Sequence, residues 1–157
     1  MDWGGWAVFG LVATTLLTAV LIAVQLAGRT RLDLPLVLGT VVVADPDRAR
    51  VVGFVVHLAF GQVFAAFYAA GFDALDRAGW WLGALFGLAH AAVALTVLVP
   101  LLPGVHSRMA SERAGPNSVA VLEPPGLLAL NYGLATPAVT VAAHLVYGAV
   151  LGIALQP

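Results

Sequence analysis

Three histidines stand inside long apolar stretches: His57, His90 and His144. Imidazole titrates near neutral pH and can serve as a metal ligand, a proton carrier or a hydrogen-bond partner. The neighbours of two of them follow a pattern. Gly53, His57 and Gly61 recur every four residues, and so do Thr140, His144, Gly148 and Gly152. On a helix that spacing places each imidazole on a face of small residues, where another helix can approach closely. His90 follows Gly79, Gly83 and Gly87 on a second small-residue stripe. Tyr68 and Tyr147 add phenols, and Gln62 an amide.

Such a set supports several chemistries. His57 and His144 on facing helices could ligate a b-type haem, and with His90 they could hold a divalent metal. In the other reading each is a neutral imidazole bonded to a carbonyl or threonine, a proton relay, or a contact to an organic ligand such as a quinone or lipid. Metal sites commonly carry carboxylate support, and the stretches around these histidines contain none. The candidate ligand-binding set is therefore His57, His90, His144, Gly61, Gly148 and Tyr68.

A second set gathers outside the apolar stretches. Asp33 precedes Leu34-Pro35, and Glu123 precedes Pro124-Pro125. With Arg29 and Arg31 they form a candidate charged mouth, where acids cap short helices and pair with arginines. His106, beyond the third apolar stretch, reads as an ordinary loop residue.

Lipid must surround the elements that hold these residues. Of 157 residues, 61% are hydrophobic and 10% charged, against about 25% charged in soluble domains. Crossing roughly 30 Å of hydrocarbon takes about 20 apolar helical residues. Four stretches qualify, at about 6–27, 51–72, 80–102 and 137–155, and none contains Asp, Glu, Lys or Arg. Helices are expected, since an open strand in lipid leaves backbone groups unpaired. Thr136-Pro137 reads as an N-cap followed by a first-turn proline. The apolar segments 34–44 and 127–132 are too short to span and read as interfacial or re-entrant helices. The expected fold is an all-α, polytopic four-helix membrane bundle. Met1-Asp2-Trp3 lacks a basic leader, so the first stretch is expected to remain as a span.

Orientation follows from arginine, the only basic residue type besides histidine. Arg29, Arg31, Arg48 and Arg50 lie in the first connection and Arg108 and Arg113 in the third, against Arg77 alone in the second. The positive-inside rule then puts the first and third connections in the cytoplasm of a prokaryote, with both termini outside. Trp3, Trp6, Trp80 and Trp81 fall at the outer ends of spans one and three, as an interfacial belt would.

The halves also resemble each other. His57-Leu58-Ala59-Phe60-Gly61 matches His144-Leu145-Val146-Tyr147-Gly148, Ala7-Val8-Phe9-Gly10-Leu11 matches Ala84-Leu85-Phe86-Gly87-Leu88, and Trp3 falls on Trp80. A two-helix unit used twice, over 1–72 and 80–155, would relate two hairpins by an axis along the membrane normal.

Net charge is −1 with no dense basic run, which leaves nucleic-acid binding without an electrostatic basis. Cysteine is absent, so thiolate metal sites and disulfides are excluded. No phosphate loop, dinucleotide fingerprint or hydrolase elbow occurs.

The ordered set of an acid, a proline and Leu38-Gly39, then His57, Gly61 and Tyr68, then Trp81, Phe86-Gly87 and His90, then Pro100, and lastly His144-Leu145-Val146-Tyr147-Gly148, resembles a group of small four-span prokaryotic membrane proteins known as domains of unknown function. The resemblance implies a polytopic membrane fold and brings no activity. Three functions stay open at this point. The first is a non-enzymatic accessory subunit or small binding module in a homo-oligomer or larger membrane complex. The second is a haem- or metal-binding redox protein using His57 and His144. The third is a small oligomeric transporter or channel.

Overall fold

A computed structural model describes residues 3–111 and 122–157; Arg113, counted above for orientation, lies outside them. The chain forms α1 (Trp3–Leu26), α2 (Leu34–Gly39), α3 (Pro46–Leu75), α4 (Trp80–Val93), α5 (Val99–Val105) and α6 (Thr136–Ala154). A single wide π-turn, Ala94–Leu98, joins α4 to α5, and a short 3-10 segment, Leu127–Tyr132, precedes α6. Among the described residues four helices are long and apolar enough to cross a membrane: α1, α3, α6 and the continuous run Trp80–Val105. The protein is an all-α membrane bundle, as the composition requires.

Helix ends depart from the apolar boundaries for identifiable reasons. α3 begins at Pro46, several residues before the apolar stretch, because the Asp45 carboxylate accepts from Arg48 N at 2.9 Å and Pro46 opens the first turn. Its thirty residues reach ~45 Å, so Asp47, Arg48 and Arg50 extend past the hydrocarbon. Charge content marks where lipid ends, not where the helix ends. α6 starts at Thr136 itself, with Ala135 in the cap position. The Thr136 hydroxyl does not cap; it pairs with Thr30 Oγ1 at 2.7 Å and ties α6 to the first connection. In span three the Val99 N–H reaches Ala94 O, five residues back, just before Pro100. Proline has no N–H to continue the ordinary ladder, so the wide turn absorbs the break.

The long helices pack as a curved row, α4 on α6, α6 on α1 and α1 on α3, with α2 lying on α3. Apolar surface gains nothing by leaving lipid for a helix contact, so close packing of small residues must hold this row together. The α4–α6 seam is made of backbone. A Cβ on Gly83 would overlap the Gly148 carbonyl, and one on Gly148 would overlap that of Gly83. Gly87 meets the His144 carbonyl and Gly152 that of Gly79 in the same way. Gly39 and Gly53 seat α2 on α3, while Gly61 lies against Thr14 of α1. The row's two ends, α3 and α4, meet through rings: Phe72 stacks on Phe86 at 5.2 Å, and Tyr68 meets Phe86 edge-on at 5.7 Å. Val51, Val55, Phe67, Leu85, Leu88 and Ile153 are left outward, as lipid-facing positions should be.

Replacing Gly83 or Gly148 with alanine is expected to lower stability in detergent by about 2 kcal/mol or more, because the obstructing atoms are backbone. Gly104→Ala, where a Cβ meets nothing within 4 Å, should change it by less than about 0.5 kcal/mol. Reversible unfolding of the purified variants in mixed micelles measures both.

Candidate functional site

The glycine seam fixes what stands beside it. Because Gly87 lies against the His144 backbone, the next turn of α4 brings the His90 ring edge-on to the His144 ring, with centroids 4.6 Å apart. From α3, Phe64 stacks on the other side of His90 at 3.9 Å, and the Tyr68 hydroxyl lies 3.4 Å from His90 Nδ1. Tyr147 of α6 meets Tyr68 edge-on at 5.3 Å and donates its hydroxyl to Gly61 O at 2.6 Å. His57 lies one turn before Gly61 on α3, whose carbonyl accepts that Tyr147 bond. The structure therefore gathers His57, His90, His144, Tyr68, Gly61 and Gly148 into one region inside the bundle. The two glycines act there as close-approach points.

Hydrogen bonds fix the protons of two rings. His144 Nδ1 lies 2.8 Å from Thr140 O, and a carbonyl can only accept, so Nδ1 carries the proton. His57 Nδ1 lies 2.9 Å from Thr18 Oγ1. That hydroxyl spends its single proton on Thr14 O at 2.7 Å, so His57 Nδ1 must donate to it. Both neutral rings then expose a bare Nε2 lone pair. Among the described residues neither Nε2 has a hydrogen-bond partner; enclosed oxygens without a partner are Thr140 Oγ1 and Gln62 Oε1. Thr140, 6% exposed, lies one turn from His144 on the same helix face.

Convergence on one metal is a different matter. Among the described residues no group of three or more His, Asp or Glu is placed to hold an ion. The expectation of a three-histidine divalent site is corrected accordingly: His90 is oriented by stacking between Phe64 and the His144 edge rather than toward a common centre.

The charged mouth divides into two pairs. Asp33 caps α2, accepting from Leu36 N at 3.0 Å, as its place before Pro35 implies. Its second oxygen bridges to Arg50 Nε at 2.8 Å, which ties α2 to α3. Glu123 pairs with Arg31 at 3.0 Å and caps nothing. The expected helix at 127–132 is a tight turn with Leu128 and Ala129 in left-handed conformation (φ 53 and 60), so no N-terminal turn exists for Glu123 to cap. Such residues are strained. The turn is held by Arg31 donating to Asn131 O, by Asn131 Nδ2 on Pro124 O at 2.9 Å, and by the Tyr132 hydroxyl on Glu123 O at 2.7 Å. Burial, with Glu123 nearby, pushes the Tyr132 phenol up to about 12, which keeps it a donor. Arg29 has no role at either pair; its backbone N–H bonds Val24 O at the end of α1.

His106 is a correction of another kind. It is 4% exposed, and its Nδ1 accepts from Arg108 N at 3.1 Å. Nε2 must then carry the proton, which it donates to Val37 O at 2.9 Å. His106 thus latches the end of α5 to α2, and Arg108 adds a bond to Thr40 O. Sequence reading passed over Thr14, Thr18 and Phe64 too. The Gly10, Thr14, Thr18 spacing was the available signal, the same four-residue step that marked the histidines.

Compared with known proteins, the chain matches no family model, no curated protein and no solved structure.

Two outcomes follow from this geometry. Nitrogen NMR of histidine-labelled protein in lipid should show His57 and His144 protonated at Nδ1, with Thr18→Val releasing only His57 from that form; protonation at Nε2 in both would contradict the assignment. His106→Ala, which removes the acceptor of Arg108 N and leaves Val37 O only the Thr40 hydroxyl, should cost about 1–3 kcal/mol in the same unfolding assay used for the glycines.

Proposed function

We propose that the protein is a binding module or accessory subunit of the prokaryotic cytoplasmic membrane, one that holds a ligand in the bilayer rather than transforming it. The supporting observation is the pair of tautomer-fixed imidazoles whose Nε2 atoms have no partner among the described residues. A bare acceptor in hydrocarbon carries a cost that a bound donor removes. His90 and His144 are placed by an α4–α6 contact made of backbone, which suits a fixed receptor better than a moving gate. In this reading the arginine-rich connections face the cytoplasm and both termini lie outside, consistent with Trp6, Trp80 and Trp81 at the opposite end. The paired motifs of the two hairpins support descent from one duplicated unit, and their order supports kinship with the four-span group named above.

Native mass spectrometry of protein extracted in mild detergent tests this directly. A non-protein mass or a stoichiometric partner should be retained on the wild type. A ligand mass should be lost from the His57→Phe, His144→Phe double variant while helicity persists. A bare monomer that carries neither would overturn the proposal.

A further inference from the structure

Resting on that reading, we propose that the site takes an uncharged, lipid-soluble ligand with a phenolic head group of the hydroquinone type, entering from the bilayer between α3 and α4. Three observations narrow the chemistry. The unpartnered groups at His57 and His144 are acceptors, so the ligand must donate, and an imidazole lone pair is a strong partner for a phenolic hydroxyl. Thr140 Oγ1 is a further buried oxygen without a partner, one turn from His144 on the same helix face. No carboxylate, arginine or lysine lies in the surrounding spans, which disfavours a charged ligand.

The walls narrow it further. Phe64, Tyr68 and Tyr147 surround the His90 imidazole with ring faces and edges at centroid distances of 3.9 to 6.1 Å, and Phe86 lies edge-on to Tyr68 behind them. A planar aromatic head group can replace those contacts as it enters, whereas a saturated alcohol cannot stack. A haem would need an open slot beside His144, and the His90 ring already occupies that flank at 4.6 Å.

Access comes from the way the row closes. The α4–α6 and α2–α3 contacts are locked by backbone at glycine, but α3 and α4 meet through side-chain rings. Rings can turn aside where backbones cannot, and His90 and Phe64 are only part-buried at this seam. A ligand dissolved in the bilayer thus reaches the imidazoles without passing through water. Binding needs no electron transfer; the hydroxyl protons are shared with Nε2 and stay on the ligand.

The test uses the full chain, labelled with nitrogen-15 at histidine, in phosphatidylcholine nanodiscs. The probe is 2-decylhydroquinone under nitrogen, and its dimethyl ether is the control. The hydroquinone should move the Nε2 resonance of His57 or His144 saturably, and the ether should not. Phe64→Leu, which leaves all three histidines in place, should weaken binding about tenfold. Equal shifts from the ether, or no shift from either compound while native mass spectrometry retains another molecule such as a metal or haem, overturns this inference and leaves the binding-module reading standing. No shift, with water alone at both Nε2 atoms and no retained molecule, overturns both.

Discussion

The contact between the Gly83 and Gly148 backbones governs the rest of the molecule. In water, two apolar helices would associate to remove surface from solvent, with wide tolerance for how they meet. In lipid that driving force is absent, and association rests on dispersion between closely approached atoms. Four glycines, Gly83, Gly87, Gly148 and Gly152, each set against a carbonyl of the facing segment, give α4 and α6 one register. That register sets His90 against His144, and through Phe64 and Tyr68 it aligns α3 as well. The site is a consequence of packing, and its precision comes from contacts without side chains.

A second consequence concerns polarity. The threonine hydroxyls of α1 return to carbonyls of their own helix, Thr14 to Gly10 O and Thr18 to Thr14 O. This local satisfaction lets threonine stay in an apolar span at little cost. Thr18 then has a lone pair left over, and His57 uses it. His57 is thus the end of a chain of satisfied groups that begins at Gly10 O. At the other end of the bundle the logic is more familiar. Ion pairs Arg50–Asp33 and Arg31–Glu123, with the His106 latch, tie α2 and the strained turn at Leu128 and Ala129 to the spans.

Much of this was legible in the residues. Run lengths gave four spans, and the four-residue step of small residues picked out the packing face of α6 and placed His144 on it. The same step on α3 was read as one contact face, yet Gly53 serves α2 and Gly61 serves α1. Spacing identifies a face but not the partner across it. Helix ends were misplaced where caps and charges extend a helix beyond lipid, as at Asp45. His106 was missed because burial of a connecting residue depends on which distant element folds over it, here Val37 and Thr40 of the α2 region. The left-handed turn was hidden for a related reason: Leu128 and Ala129 carry no signal for positive φ, and the bonds from Arg31 and Asn131 impose it.

Solid-state NMR on uniformly labelled protein in lipid bilayers reaches the central claim most directly, through correlations between the ring carbons of His90 and His144. The account expects strong cross-peaks between those rings, consistent with centroids 4.6 Å apart, lost on insertion of a methyl at Gly83. Rings that show no mutual contact and correlate instead with acyl chains would contradict it.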